Sequence, residues 1–230
     1  MVDIIIIGYK KNKLTEDCIA SLKNTIDLDY NIIECYGGSI AQNFNRGLAQ
    51  TKTDIIGFVQ DDWLFLPNKW ASTLYDALNN SWANYVSAKQ LYPDYSVHCA
   101  WLQFAFPNGE YFTRLNGYRT REKDGEYSKT MCEHGVPVFI KRKRALEIGG
   151  QDEGFVASQH EEPFFCMRLG YPLYVGSIAY IHRWNENPET YELKMKYESV
   201  NRPYLKEKCK SLSCSSTNMK YIINEGMNLK

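Results

Sequence analysis

Asp54-Ile-Ile-Gly-Phe-Val-Gln-Asp-Asp-Trp63 is the segment of this chain that says most about its architecture. The apolar run Ile55–Val59 fits a buried strand, which ends abruptly at two adjacent carboxylates, Asp61 and Asp62. Ligands of open α/β sheets bind in the crevice outside the carboxyl ends of parallel strands. Two acids at that place suit a divalent cation, because hard cations take oxygen ligands and share them with phosphates. The two aspartates could instead begin a turn and cap the next helix, and this segment alone leaves both interpretations open.

The residues around this segment repeat a strand followed by a helix. Residues 3–8 are continuously apolar after the first position, which is typical of a strand buried on both faces, and a second strand is predicted near residues 30–35. Helices are predicted after Thr15 and Ser39, which can act as N-caps, and from about Pro67, because proline is favoured in a first turn. This alternation predicts a parallel sheet with right-handed crossovers.

The later part of the chain is organised differently. Residues 84–140 are rich in aromatic and turn-forming side chains, which favours mixed strands and loops that shape an acceptor pocket. A late helix is predicted over about 187–209. We find no repeats and no linker long enough to separate two domains. The expected division is a single domain in two halves, followed by a helix with a tail: 1–184, made of 1–83 and 84–184, and then 185–230.

Composition and charge disfavour several classes of protein. Lys plus Arg and Asp plus Glu both number 27, so no overall field attracts nucleic acid or an anionic membrane. No apolar run approaches the roughly 18–20 residues of a spanning helix, and Met1–Gly8 does not resemble a signal peptide. The seven cysteines are scattered, and Cys209 and Cys214 have no second close pair with which to bind zinc. We therefore expect a cytoplasmic protein with reduced thiols and no nucleic-acid partner.

A second acidic segment follows the middle region. Gly149-Gly-Gln-Asp-Glu-Gly-Phe155 is followed by His160-Glu-Glu-Pro163, in which Pro163 fits the first position of a helix. This places Glu161 and Glu162 at the helix entrance, where the helix field stabilises an anion by roughly 0.3–1 kcal/mol. Taken alone, the two glutamates are best explained as helix caps. Their position after the first acidic segment favours a second role, in catalysis.

In order and spacing, these motifs resemble the GT-A-fold glycosyltransferases, in particular the inverting family 2. The similarity spans roughly residues 2–184 and includes the opening strand, Gln60-Asp-Asp62, the Gly149–Phe155 segment, the Glu-Glu helix start and a strand ending His182-Arg-Trp184. The resemblance implies an α/β fold of the GT-A type. Such a fold is Rossmann-like, with a mostly parallel central sheet, helices on both faces and a small mixed acceptor-side sheet. Residues 1–83 would then bind a nucleotide sugar, and residues 84–184 an acceptor.

The resemblance also implies a donor site that contains Mn²⁺ or Mg²⁺. Asp62 would hold the metal at the Asp-x-Asp position, where Gln60 replaces the usual first acid, and His182 would complete the metal site. Asp61 would lie near the ribose or a metal-bound water. The residues implied around the nucleotide are Gly8, Tyr9, Lys10, Glu34, Asn43, Arg46, Gln60 and Asp61.

The acceptor side follows from the same resemblance. Glu162 matches the general base, in a motif that more often reads Glu-Asp, and Glu161 is the alternative base. The implied contacts to donor or acceptor sugar are Gly149, Gly150, Asp152, Trp101 and Trp184. The implied reaction transfers a sugar from a nucleoside-diphosphate sugar to a glycan, lipid-linked or protein acceptor with inversion, and a lipid-linked acceptor would bring the protein to a membrane surface.

Two other functions are compatible with the sequence. A catalytically weak protein of this fold could bind a nucleotide sugar or a glycan, and the missing first acid at Gln60 favours that alternative. A nucleotidyltransferase would need a glycine-rich phosphate loop after the first strand, and residues 8–11 are too poor in glycine for that loop.

Overall fold

The computed structural model describes residues 1–99, 101–105, 110–114, 131–134, 136–170, 172–183, 186 and 188–210. Its strands are β1 (Val2–Ile7), β2 (Tyr30–Cys35), β3 (Ile55–Gln60), β4 (Trp63–Phe65), β5 (Tyr85–Leu91), β6 (Val97–Cys99), β7 (Trp101–Ala105), β8 (Glu110–Arg114), β9 (Met131–His134), β10 (Pro137–Lys141) and β11 (Pro172–His182). Its helices are α1 (Lys13–Thr25), α2 (Ile40–Leu48), α3 (Trp70–Asn79), α4 (Arg142–Glu147), α5 (Glu161–Leu169) and α6 (Pro188–Lys210).

The central sheet has the strand order β2-β1-β3-β10-β5-β11-β4, and β6 pairs with β5. Strand β1 is parallel to β2 and β3, and β11 is parallel to β5. Strand β10 is antiparallel to both of its neighbours, so β2, β1, β3, β5 and β11 share one direction. A second, antiparallel sheet has the order β8-β7-β9. The expected α/β fold class is confirmed, whereas the small additional sheet is antiparallel rather than mixed.

The register of this sheet brings distant segments of the chain together at one edge. Ile7 at the end of β1 lies opposite Gln60 at the end of β3, so the loops that follow both strands begin side by side. At the far side of the sheet, His182 at the end of β11 lies opposite Trp63 in β4. The two residues between β3 and β4, Asp61 and Asp62, therefore connect the end of β1 with the end of β11.

The core explains why these strands form. All of β1 is buried, as its continuous apolar run predicts. Trp63 is fully buried and its ring centroid lies 4.2 Å from that of Tyr180 on β11. Burying a large apolar side chain stabilises the fold by roughly 1.5–3 kcal/mol, which favours pairing of the short β4 with β11. The strand–helix prediction did not include β4, because its burial depends on a residue far along the chain.

Three predicted helix starts were wrong by two or three residues. Helix α1 begins after Asn12, whose side chain accepts a hydrogen bond from the Thr15 amide at 3.2 Å, so Thr15 is the partner in a capping box rather than the N-cap. Helix α3 begins at Trp70 rather than Pro67, because Lys69 before it has a left-handed backbone with φ 54° and interrupts the helix there. Pro163 is the third residue of α5 rather than the first. Ser39 is confirmed as the N-cap of α2.

The cysteines and the helices bear on two expectations from composition. Cys18, Cys35, Cys166 and Cys209 are buried, free thiols. None of the helices described above combines the length and apolar character that crossing a bilayer requires.

Candidate functional site

A cavity of about 480 Å³, measured with its open mouth, lies outside the carboxyl ends of β1 and β3. Its polar and ionisable lining consists of Tyr9, Gln60, Asp61, Asp62, Ser158 and Lys194. Gly38, Ile40, Ala157 and Leu193 complete the lining. The wall therefore combines the first strand–helix loop, the end of β3, the start of α2, the loop before α5, and α6.

Asp61 is held tightly at the end of β3. Its amide donates to the Ile7 carbonyl at 2.9 Å, and the Thr15 hydroxyl donates to its Oδ2 at 3.2 Å. A Cβ atom on Gly8 would lie 2.1 Å from that same Oδ2, so this position needs glycine. Burial and the charge of Asp62 raise the pKa of Asp61 to about 7, against the hydrogen bond from Thr15. Asp61 is therefore a carboxyl group that titrates near neutral pH.

Asp62 lies beside His182. Its Oδ2 is 3.2 Å from His182 Nε2, and the side chains of Asp62 and His182 are 15% and 8% exposed. Burial would raise the pKa of Asp62, but the interaction with the neighbouring His182 opposes it and the pKa falls to about 2. Among the described residues, Asp62 Oδ1 and both ring nitrogens of His182 have no hydrogen-bond partner. The pair is thus a half-buried carboxylate and a buried imidazole with unused ligand atoms.

This pair fits part of a metal site. Adjacent ligands of an octahedral ion with bonds of about 2.1 Å stand about 3 Å apart, which matches the separation of Asp62 and His182. Mg²⁺-type sites usually take only one or two carboxylates from the protein and fill the remaining positions with water and phosphate oxygens. In the described part of the chain, no group of three or more such side chains gathers around one point. Asp62 and His182 could together supply two ligands to such an ion.

His98 lies next to His182. Its ring centroid is 5.1 Å from that of His182, and its Nδ1 is 3.0 Å from Gln90 Oε1. Burial, followed by the charge of His182, lowers the pKa of His98 to about 4. His98 is therefore neutral at physiological pH and adds no charge of its own next to His182.

Glu161 and Glu162 begin α5 in different surroundings. The Gln60 side-chain amide donates to Glu162 Oε2 at 3.1 Å, which joins this half-buried glutamate to a residue that lines the cavity. Glu161 is only 4% exposed, and the Ser158 hydroxyl donates to its Oε1 at 3.4 Å. Burial, together with the charge of Glu161, raises the pKa of Glu162 to about 8, and burial raises that of Glu161 to about 7. Either group can accept a proton near neutral pH.

Asn43 and Arg46 bind the backbone of the neighbouring loops. Asn43, which is fully buried, donates to the carbonyls of Gly8 at 2.8 Å and Gly38 at 3.1 Å. Arg46 donates to the Tyr36 carbonyl and to Asn43 Oδ1. These two residues therefore hold the loops that follow β1 and β2 against each other, and neither is among the residues that line the cavity.

Lys10 and Glu34, which the resemblance places near the nucleotide, are exposed and are not among the residues that line the cavity. Glu34 is exposed, and its Oε2 accepts from Lys11 at 2.8 Å and from the Tyr36 hydroxyl at 2.9 Å. Lys10 forms an exposed 2.5 Å ion pair with Glu189 of α6. Of the implied nucleotide contacts, the structure brings Tyr9, Gln60 and Asp61 together in the cavity lining.

The implied sugar contacts are placed elsewhere. Gly149 and Gly150, both with positive φ, close the end of α4, and a Cβ atom on Gly150 would lie 2.2 Å from Asn45 Oδ1. Asp152 accepts from the Tyr204 hydroxyl at 3.0 Å and forms a 2.9 Å ion pair with Lys208. The two glycines and Asp152 are not among the lining residues, so their role as sugar contacts stays a prediction.

The remaining implied sugar contacts are Trp101 and Trp184. Trp101 belongs to β7 and lies opposite Arg114 of β8 in the small sheet. Trp184 lies outside the described residues.

The sequence did not predict that α6 and residues 156–160, the loop before α5, form part of the cavity wall. Ala157, Gln159 and His160 have φ values of 57°, 99° and 71°, which are unusual for residues other than glycine. The side chain of Asn201 on α6 is fully buried and binds the backbone of this loop at Val156, Ser158 and Gln159. A helix-period pattern predicts α6 but cannot identify which of its residues face a cavity.

Comparison with known proteins shows the fold. No family model and no curated protein sequence matches the chain. Among solved structures, the chain is similar to the crystal structure of GalNAc-T7 with UDP, GalNAc and Mn²⁺, with a TM-score of 0.56 and 11% sequence identity. The match covers 81% of this chain and 44% of that chain, so the chain spans less than half the length of its structural neighbour. The chain therefore has a GT-A-like fold.

Proposed function

We propose that the chain is a glycosyltransferase that transfers a sugar from a nucleoside-diphosphate sugar to an acceptor hydroxyl with inversion. The observation that supports it most is the pairing of Asp62 with His182 at a cavity that Gln60 links to Glu162. The cavity lies where ligands of α/β sheets bind, and the solved structure of similar fold contains UDP and Mn²⁺. We also propose that residues 1–83 hold the nucleotide sugar and residues 84–184 the acceptor.

Asp62 and His182 would hold Mn²⁺ or Mg²⁺ in this proposal. When bound, the ion supplies Lewis-acid stabilisation of the departing diphosphate. Asp61, fixed by Thr15 and packed against Gly8, would orient the ribose or a metal-bound water. Partial burial of Asp61 and Asp62 lowers the local dielectric constant, which strengthens their electrostatic interactions.

Glu162 would act as the general base. Its carboxylate takes the proton of the acceptor hydroxyl as oxygen attacks the anomeric carbon from the side opposite the diphosphate, which inverts that carbon. A base is most effective when its pKa lies near the working pH, and the pKa of Glu162 is about 8. The amide of Gln60 donates to one carboxylate oxygen, and the other oxygen would meet the acceptor.

Release of free nucleoside diphosphate tests the proposal. The protein is incubated with UDP-, GDP- and dTDP-hexoses and Mn²⁺, with and without candidate acceptors. We expect release from at least one donor, loss of that release in Asp62→Asn, and no change in Asp76→Asn, which alters an exposed aspartate of α3. Release that is equal in Asp62→Asn and the native protein would contradict the assignment of the metal.

A second candidate is a protein that binds a nucleotide sugar without turning it over. The observation that favours it is Gln60, which occupies the place of a first metal-binding acid and instead hydrogen bonds Glu162. Tight donor binding without release of nucleoside diphosphate, in the presence of any acceptor tried, would favour this candidate over the transferase.

A further inference from the structure

Helix α6 contributes a cation to the wall of the cavity. Lys194 is half-buried and lines the cavity together with Gln60, Asp61 and Asp62. Among the described residues that line the cavity, it is the one with a positive charge. The carboxyl groups around the cavity would by themselves repel an anionic ligand, so a resident cation affects what the cavity can bind.

Lys194 is close to these acids without pairing with one of them. Burial is the largest influence on the pKa of Asp61, Asp62, Glu161 and Glu162, and the charge of Lys194 lowers all four. Yet within the described ranges no carboxylate oxygen lies within 4.0 Å of its ammonium group. On the same helix, Lys208 contrasts with it and forms a 2.9 Å ion pair with Asp152.

The helix on either side of Lys194 is anchored to the rest of the domain. Toward its start, Glu189 pairs with Lys10 at 2.5 Å. Toward its end, Glu198 lies 2.7 Å from His160 Nε2, and Asn201 binds the loop before α5. The ammonium group is therefore presented to the cavity from a supported backbone, which reduces the entropy lost when it binds a ligand.

We propose that Lys194 binds the diphosphate of the donor, as a second cationic group beside the Asp62–His182 pair. This inference rests on the proposed function and names the part of the donor that α6 recognises. A diphosphate carries more negative charge than one divalent ion neutralises, and an ammonium group supplies three hydrogen-bond donors to phosphate oxygens. Because Lys194 belongs to the chain itself, some affinity for nucleoside diphosphates should persist when metal is removed.

Titration calorimetry with UDP, GDP and dTDP tests this role, with uridine, guanosine and thymidine as phosphate-free probes. Each is titrated into native protein, Lys194→Met, Lys194→Arg and Lys196→Met, in Mn²⁺ and in EDTA. Lys196 is the matched control, because it is exposed on the same helix with its ammonium 5.3 Å from the Tyr197 ring centroid.

We expect Lys194→Met to weaken binding of the preferred diphosphate by roughly 10- to 100-fold, as loss of a charged hydrogen bond does. In EDTA the residual binding of the native protein should disappear in this variant. Nucleoside binding should not change, Lys194→Arg should restore part of the affinity, and Lys196→Met should behave as native.

The failures of the two proposals are distinguishable. If the native protein binds a nucleoside diphosphate and Lys194→Met binds it equally well, the role of Lys194 is wrong and the proposed function stands. An equal loss of diphosphate affinity in Lys196→Met would also contradict the role of Lys194, because the effect would then come from net charge. If the native protein binds none of the three diphosphates, the proposed function is overturned and this inference with it.

Discussion

The two adjacent glutamates at the start of α5 differ in solvent exposure and in hydrogen-bond partner. Glu162 is half-buried and hydrogen bonds Gln60, which lines the cavity, whereas Glu161 is 4% exposed and lies beside Ser158. A proton acceptor must reach the acceptor hydroxyl, and the more accessible carboxylate is better placed for it. The geometry therefore favours Glu162 as the base, although both residues have raised pKa values.

Glu162→Gln should reduce turnover by about 10²-fold or more, because general base catalysis is typically worth about 10²–10⁴-fold. Donor affinity should stay close to native, since the change keeps the size of the side chain and a partner for Gln60. Steady-state turnover and calorimetric donor affinity are measured together, with Glu161→Gln as the matched variant. If Glu161→Gln is inactive and Glu162→Gln remains near native, the roles are reversed.

At the scale of elements, α6 stabilises the loop that leads into α5. Three residues of that loop have left-handed φ values, and such conformations cost on the order of 1–3 kcal/mol each. Asn201 compensates from α6: its Oδ1 accepts from the Val156 amide at 2.9 Å, and its Nδ2 donates to the Val156 carbonyl at 2.8 Å. The same Nδ2 lies 3.1 Å from the Ser158 carbonyl and 3.2 Å from that of Gln159. One buried amide therefore determines the path of the cavity wall.

Asn201→Ala should lower the free energy of unfolding by about 1–3 kcal/mol, the cost of leaving buried polar groups without partners. Backbone amides of residues 156–160 should also exchange hydrogen faster than in the native protein. Urea unfolding and hydrogen exchange measure the two effects. The neighbouring Arg202→Ala, which removes an exposed pair with Glu198, is the control and should change little. Native exchange rates in Asn201→Ala would show that α6 does not hold this loop.

For the whole molecule, the two glutamates that begin α5 couple folding to pH. Burial raises the pKa of Glu161 to about 7 and that of Glu162 to about 8, above the ordinary value of 4.5. Between those values the native state binds more protons than the unfolded state, so stability falls as pH rises. Their contribution is fully present below the ordinary pKa and is lost as pH rises through about 7–8.

The urea midpoint of the native protein should therefore decrease between about pH 5.5 and about pH 8.5. The double variant Glu161→Gln/Glu162→Gln should show a flatter dependence, with a remaining slope from Asp61, whose pKa is also about 7. Glu192→Gln, at an exposed position on α6, should keep the native slope. A midpoint that is constant or rises over this range would contradict the burial of these carboxyl groups.

Patterns of neighbouring residues predicted the strands, caps and helix starts that depend on interactions within a few residues. The apolar run of β1, the carboxylates after β3, the Ser39 cap and the glutamates that begin α5 are all encoded by neighbouring residues. The start of α1 was predicted wrongly because Asn12 and Thr15 can both cap a helix, and the choice depends on which pair of hydrogen bonds forms. Capping preferences alone do not separate such neighbours.

The amino-acid sequence by itself determined the strand–helix order, the α/β class and the positions of the acidic groups, because hydrophobic period and turn chemistry act over a few residues. Only the tertiary structure decided which distant groups share the cavity. Asp62 meets His182 because β11 pairs with β4 in one register, and Lys194 lines the same cavity because α6 lies against the loop before α5. Contacts between residues more than a hundred positions apart depend on how whole elements pack, and no local pattern records that packing.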